Sequence, residues 1–154
     1  MSQARENSLD QRPGYAVKRL QLAIRNSVDD DLASMRLSMA QFAALRVLAD
    51  SGPVTAAELA RQCFVTRQSM QDVLNSLRAR YLVETVETAS GGRTQKIAIM
   101  PAGKELMEQA IVKVEAVDRR MLRGLTPRQQ VQFVSWLNTC AGNLTAAMDR
   151  HDDQ

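Results

Sequence analysis

Residues 65 to 83, "VTRQSMQDVLNSLRARYLV", decide the fold of this chain, because they predict a helix that passes directly into a strand. Apolar residues at helical spacing indicate the side that faces a core: Met70, Val73, Leu74 and Leu77. The opposite side, called the polar face below, carries amide and acidic side chains: Gln68, Gln71, Asp72 and Asn75. An ordinary solvated helix more often carries Lys and Glu, so this face is predicted to contact a partner.

The neighbouring segments predict a defined order of elements. "TAAELARQC", residues 55–63, predicts a short helix with Thr55 as N-cap and Glu58 as its capping-box partner. Thr66 is suited to cap the helix that carries the polar face. "LVETVETA" and "TQKIAIM" predict two strands that the loop "SGGR", residues 90–93, joins as an antiparallel hairpin. Two helices with a tight turn followed by a hairpin form a winged helix-turn-helix.

The chemistry of the polar face suits double-stranded DNA. An α-helix fits the major groove, where amide and hydroxyl side chains pair with base edges and arginines bind guanine or phosphate. Arg67, Arg78 and Arg80 flank the polar face. The N-terminal end of a helix also offers backbone N–H groups to phosphate. The predicted DNA contacts are Thr66, Arg67, Gln68, Ser69, Gln71, Asp72, Asn75 and, at the hairpin tip, Arg93.

The composition fits one domain and excludes several other classes. The chain has 154 residues, 45% of them hydrophobic, and a net charge of +3 that is compatible with binding a polyanion. No apolar stretch approaches the roughly 20 residues of a membrane span, and the polar N-terminus does not resemble a signal peptide. We therefore expect a cytoplasmic protein with no membrane partner.

Several segments together resemble the MarR family of bacterial transcription regulators over nearly the whole chain. The resemblance rests on "LSMAQFAALRVLADSGPVTAAELARQCFVTRQSM", "LRARYLVE", "SGGRTQKIAIMPAGKEL" and "LTPRQQ". It implies a ligand-responsive regulator, most often a repressor, that binds pseudo-palindromic operator DNA as a homodimer. It also implies a mainly α (α+β) fold, in which a winged helix-turn-helix lobe is joined to long N- and C-terminal dimerisation helices.

The expected domain boundaries follow from this arrangement. Residues 1–14 are expected to form a flexible arm, residues 15–37 and 101–150 the helical dimerisation region, and residues 38–100 the DNA-binding domain. The first and last helices carry apolar stripes that a winged module does not need, and a second copy of the chain would bury them. Packing within one chain is the alternative.

The resemblance also implies a cleft for a small, aromatic and anionic effector. The residues expected to border it are Tyr15, Arg19, Met35, Met39, Phe42 and Arg46. Arg46 or Arg19 could neutralise a carboxylate there. Ordinary packing and solvation are an alternative explanation for all six.

The sequence departs from the family pattern at four positions. Phe64 replaces the usual glycine of the helix-turn-helix turn, and since a positive φ is unfavourable for Phe, the turn is expected to differ. Gly92 replaces an acidic residue beside Arg93, and Met100 replaces a Thr cap before Pro101. Asp72 lies where a basic residue is common, so it either accepts from cytosine or repels phosphate.

Other chemistry has little support in the sequence. Cys63 and Cys140 are expected to pack as small apolar residues, although a cysteine-based redox sensor is an alternative. His151 lies alone in an acidic tail. There is no phosphate-binding glycine loop and no nucleophile with a base, so we expect no enzyme, cofactor or metal site. A winged module that binds proteins instead of DNA is a further alternative.

Overall fold

The computed structural model describes residues 11–87 and 95–149, so residues 1–10 of the predicted arm (1–14) lie outside them. The elements, in chain order, are α1 (Pro13–Leu32), a 3-10 turn (Ala33–Met35), α2 (Met39–Ser51), α3 (Ala56–Gln62), α4 (Arg67–Ala79), β1 (Val83–Glu87), β2 (Gln95–Ile99), α5 (Pro101–Met121) and α6 (Pro127–Asp149). This order confirms the mainly α (α+β) class. The chain forms two compact units, of which the first ends at Val117 and the second begins at Asp118.

Local capping chemistry sets most helix starts where the sequence predicts them. Ser38 and Gln41 form both bonds of a capping box at the start of α2. Thr55 caps α3 by accepting from the Glu58 backbone N–H at 3.1 Å. The predicted capping box is only half formed, because the Glu58 carboxylate accepts from Arg61 and Gln62. The first helix begins at Pro13 rather than at residue 15, because proline is well suited to the first helical position.

The core of the first unit forms around the apolar side of α4. Met70, Leu74 and Leu77 are fully buried, and they belong to the same cluster as Leu45 of α2 and Leu59 of α3. Burying a leucine of this kind contributes about 1.5–3 kcal/mol. The buried side therefore fixes which side of α4 faces outward.

The two strands form an antiparallel pair in which Val83 lies opposite Ile99 and Glu87 lies opposite Gln95. Val54, in the connection between α2 and α3, extends this sheet by exchanging two backbone hydrogen bonds with Ile97 at 3.2 and 2.7 Å. The sequence pattern predicted the hairpin but not this bridge. The bridge ties β2 to the helix-turn-helix, while the loop residues 88–94 lie outside the described part of the chain.

The second unit exposes apolar residues along α6. From residue 127 to 145, every side chain is exposed or half-buried. The large exposed apolar residues there are Val131, Val134, Trp136, Leu137 and Leu144. Cys140 is also exposed, so the prediction that it packs as a small apolar residue is wrong. The neighbouring side chains of α6, from residue 134 to 145, are exposed as well. In the described ranges, no helix is long and apolar enough to cross a membrane.

Candidate nucleic-acid interface

The outward side of α4 presents the predicted polar residues together. Gln68, Gln71, Asp72 and Asn75 are all exposed, because the buried positions of the helix lie on its other side. The Nε2 of Gln71 donates to the Oδ1 of Asn75 at 3.0 Å. The polar face is thus a continuous surface of amide and carboxylate groups.

The N-terminal end of α4 is closed by Thr66, whose hydroxyl accepts from the Ser69 backbone N–H at 3.1 Å. The two hydroxyl oxygens of Thr66 and Ser69 lie 2.9 Å apart and are hydrogen-bonded. Arg67 occupies the first helical position and is exposed. This end therefore combines short hydroxyl groups, an arginine and the positive end of the helix dipole, which is suitable for phosphate.

The turn between α3 and α4 corrects the expectation for Phe64. Phe64 adopts φ = 55°, the conformation for which glycine is favoured, instead of altering the turn. Its backbone N–H donates to the Arg61 carbonyl, and the Val65 N–H donates to the Ala60 carbonyl, which is the pattern of a Schellman motif. The two bonds, together with the packing of Cys63 and Val65 against the core, outweigh the conformational cost, and Phe64 itself is left 96% exposed.

The same motif recurs at two other helix ends in this unit. Arg36 and Tyr81 also have φ = 55°, and each is flanked by the corresponding pair of backbone hydrogen bonds. Tyr81 ends α4 and directs the chain into β1. The exit of α4 is therefore fixed by backbone geometry rather than by a glycine.

Beside the turn lies a groove of about 470 Å³, lined by Thr55, Ala57, Glu58, Ala60, Arg61, Val65 and Arg67. Within it, Arg61 donates to the Glu58 carboxylate at 2.6 Å. This bond, followed by the bond from Gln62, lowers the pKa of Glu58, and the same carboxylate raises the pKa of Arg61. The Arg61 charge is largely offset by this pair, so Arg67 is the stronger candidate for binding an anion.

The arginines that flank the C-terminal end of α4 bind within the protein. Arg78 donates to the Thr85 hydroxyl of β1 at 3.2 Å. Arg80 donates to the backbone carbonyls of Arg36 at 2.6 Å and Met35 at 3.1 Å. The sequence pattern missed the role of Arg80, because its two acceptors are backbone atoms more than forty residues away.

A second long-range bond holds α4 against α2. Gln41, which caps α2 through its Oε1, uses its Nε2 to donate to the Ser76 hydroxyl at 2.8 Å. Gln41 was predicted as a cap alone. It also fixes the position of the helix that carries the polar face.

Arg93, the predicted contact at the hairpin tip, lies outside the described residues. The paired strands end at Glu87 and Gln95, which places the ends of the loop beside each other. The role of Arg93 stays a prediction.

The residues expected to border an effector cleft occupy two environments. Met35, Met39 and Phe42 are half-buried and pack against the core of the first unit. Arg46 pairs with Asp50 at 2.7 Å, while Tyr15 and Arg19 are exposed on α1. Their role as ligand contacts also stays a prediction.

Cys63 packs against the core and is half-buried, as expected. Burial raises the pKa of its thiol, which disfavours the reactive thiolate. Over residues 11–87 and 95–149, no three His, Cys, Asp or Glu side chains are grouped so that they could hold a metal ion.

Comparison with known proteins adds an independent observation. Residues 37–94 match the model of the MarR family. The transcriptional repressor Rv2887 of Mycobacterium tuberculosis is 34% identical over 120 residues, which are 78% of this chain and 86% of that protein.

Solved structures agree with this match. The crystal structure of Rv2887 in complex with salicylic acid has a TM-score of 0.70 and 32% identity, covering 84% of this chain and 96% of the other. The repressor CouR, bound to a 23-mer DNA duplex, has a TM-score of 0.78 and 25% identity, covering 88% and 96%. The chain belongs to the MarR family of helix-turn-helix transcriptional regulators.

Proposed function

We propose that this chain is a ligand-responsive bacterial transcriptional repressor that acts in the cytoplasm. It binds pseudo-palindromic operator DNA as a homodimer, and a small aromatic anion releases it. The observation that carries this proposal is the polar face of α4, which is exposed along its length and capped at an end suited to phosphate.

DNA binding would use the predicted contacts in two ways. Gln68, Gln71, Asp72 and Asn75 would face base edges in the major groove. Arg67 and the Thr66–Ser69 end of α4 would contact phosphate and set the position of the helix. Arg93 would contact the DNA backbone or the minor groove from the hairpin tip. The relative CouR has been crystallised with a DNA duplex, which supports this mode of action.

Dimerisation would place two copies of α4 on one side of the DNA. Specific binding to a pseudo-palindrome needs the two helices about 34–36 Å apart, one turn of the duplex. Residues 15–37 and 101–150 would form the dimerisation region, and residues 38–100 the DNA-binding domain. The exposed apolar side chains of α1 and α6, including Leu22, Val134 and Leu144, support this division.

The effector would bind where Tyr15, Arg19, Met35, Met39, Phe42 and Arg46 can approach it. Rv2887 has been crystallised with salicylic acid, so an aromatic acid is the class to test first. Binding would favour a dimer whose recognition helices are wrongly spaced for the operator. In this chain, Arg46 would have to exchange its Asp50 partner for the ligand carboxylate.

The experiment is a gel-shift and footprinting assay with the DNA upstream of the protein's own gene. We expect binding that weakens steeply with salt, and release by an aromatic acid such as salicylate. Arg67→Ala should weaken binding and reduce the salt dependence, whereas Arg25→Ala, on the exposed side of α1, serves as the matched control.

Two outcomes would overturn parts of the proposal. If Arg67→Ala leaves DNA binding unchanged, a winged module for protein contacts becomes the better interpretation. If Cys63→Ser and Cys140→Ser abolish the response, the regulator senses oxidants rather than an aromatic ligand.

A further inference from the structure

A side-chain hydrogen bond within the polar face fixes the direction of one amide group. Gln71 and Asn75 lie one helical turn apart on α4, and both are exposed. The Nε2 of Gln71 donates to the Oδ1 of Asn75 at 3.0 Å. Met70 and Leu74, beside them in sequence, are fully buried, so α4 cannot rotate without losing core contacts. The amide pair is therefore held on the outer surface in a defined orientation.

The bond to Asn75 uses one hydrogen of the Gln71 amide. The Oε1 of Gln71 and the second hydrogen on Nε2 remain to bind a partner, and they form an acceptor beside a donor. In the major groove, adenine presents its N7 acceptor beside its N6 amino donor, which is the complementary pattern. Guanine presents two acceptors, and thymine an acceptor and a methyl group, so neither matches as well.

We propose that Gln71 forms a bidentate pair with an adenine in each operator half-site and determines specificity at that base pair. The Nε2 of Gln71 would donate to N7, and its Oε1 would accept from the N6 amino group. Asn75 is a positioning residue, because its Oδ1 accepts the Gln71 amide hydrogen that does not face the base. The inference rests on the proposed function, since it requires α4 to lie in the major groove.

Asp72 lies on the same side of α4 but does not suit this role. A carboxylate is an acceptor without a donor, so Asp72 cannot pair with N7 of adenine. It would match the amino group of cytosine instead. Adenine recognition is thus assigned to Gln71, and a carboxylate at residue 71 should change the preferred base.

The test begins with selection of binding sites from a random duplex library by the full-length protein. Fluorescence anisotropy then measures affinity for duplexes in which each position of the selected half-site is replaced in turn. We expect one adenine whose replacement by another base, or by 7-deazaadenine, weakens binding roughly tenfold or more. The Gln71→Ala protein should lose this discrimination, and Gln71→Glu should shift the preference toward cytosine.

Variants of Asn75 separate positioning from general damage. Asn75→Asp keeps an oxygen acceptor, so adenine preference should persist even though the added charge lowers affinity for every duplex. Asn75→Leu removes the acceptor, and the preference should weaken. Gln68→Ala, at an exposed glutamine of the same helix, should lower affinity without changing the preference at that base.

The outcomes distinguish this inference from the proposed function. If the parent protein binds DNA and Gln71→Ala discriminates among bases as the parent does, the inference is wrong while the proposed function stands. The same conclusion follows if Asn75→Leu keeps the full preference. If the parent binds no duplex at low salt, the proposed function fails and the inference fails with it.

Discussion

The guanidinium of Arg80 donates to the backbone carbonyl of Arg36 at 2.6 Å, and it also reaches the carbonyl of Met35 at 3.1 Å. This contact joins the C-terminal end of α4 to the turn between α1 and α2. The turn ends at Arg36, which adopts the left-handed conformation with φ = 55°. Arg80 therefore stabilises both the turn and the exit of α4.

Replacement of Arg80 by alanine should lower the free energy of unfolding by about 1–2 kcal/mol, since two carbonyls lose a charged donor. Urea denaturation monitored by circular dichroism measures this loss. Arg25→Ala is the matched control, because the Arg25 side chain is 72% exposed and lies 3.7 Å from Asp29. Its effect should stay below about 0.5 kcal/mol. Equal losses in both variants would contradict the proposed role of Arg80.

Phe64→Gly should raise the free energy of unfolding by about 1 kcal/mol, because glycine adopts φ = 55° without the steric cost that a Cβ imposes. Little burial is lost, since Phe64 is 96% exposed. Thermal denaturation provides the measurement. Phe64→Ala keeps the Cβ and removes the ring, so it should give no comparable gain; if it does, relief of backbone strain is not the cause.

Gly103→Ala should destabilise the protein by about 2 kcal/mol or more, because overpacking against backbone cannot be relieved by rotating a side chain. A Cβ at this position would lie 2.2 Å from the carbonyl oxygen of Leu82. That carbonyl also accepts from the Met100 N–H at 2.9 Å, which further restricts its movement. Gly14→Ala is the control, since a Cβ there has no neighbour within 4 Å. Similar denaturation midpoints for both variants would refute this packing argument.

Cys63 should react with iodoacetamide several-fold more slowly in the native protein than in urea at pH 8, when measured in a Cys140→Ser background. Burial raises the pKa of the Cys63 thiol, so the unfolded chain ionises first as the pH increases. The thiol's contribution to stability is therefore complete below the ordinary pKa of about 8.5 and falls as the pH rises above it. A native reaction as fast as the unfolded one would support the redox-sensing alternative.

Leu144→Asp should convert the proposed dimer into monomers and weaken operator binding, because a charge would replace an apolar contact between copies of the chain. Leu144 is 71% exposed within one chain, so the substitution should leave the fold of that chain intact. Sedimentation velocity measures the change in mass. Asn143→Asp adds the same charge at the neighbouring exposed position, and it should remain dimeric. A parent protein that is monomeric at micromolar concentration would rule out this prediction.

The amino-acid sequence by itself determined the order of the helices and strands, and the direction of the polar face. These features depend on residues close in the chain: apolar spacing of three and four, N-caps such as Ser38 and Thr66, and alternation around Ile97. The same local signals placed Gln71 and Asn75 on one side of α4.

The tertiary structure decided how these elements are joined. Phe64 was expected to alter its turn, yet the packing of its neighbours Cys63 and Val65 against the core holds it at a positive φ. The bridge from Val54 to Ile97 and the bonds of Arg80 each join atoms more than forty residues apart. Such contacts depend on how whole helices and strands are positioned relative to one another. The buried core fixes those positions, and no local sequence pattern encodes them.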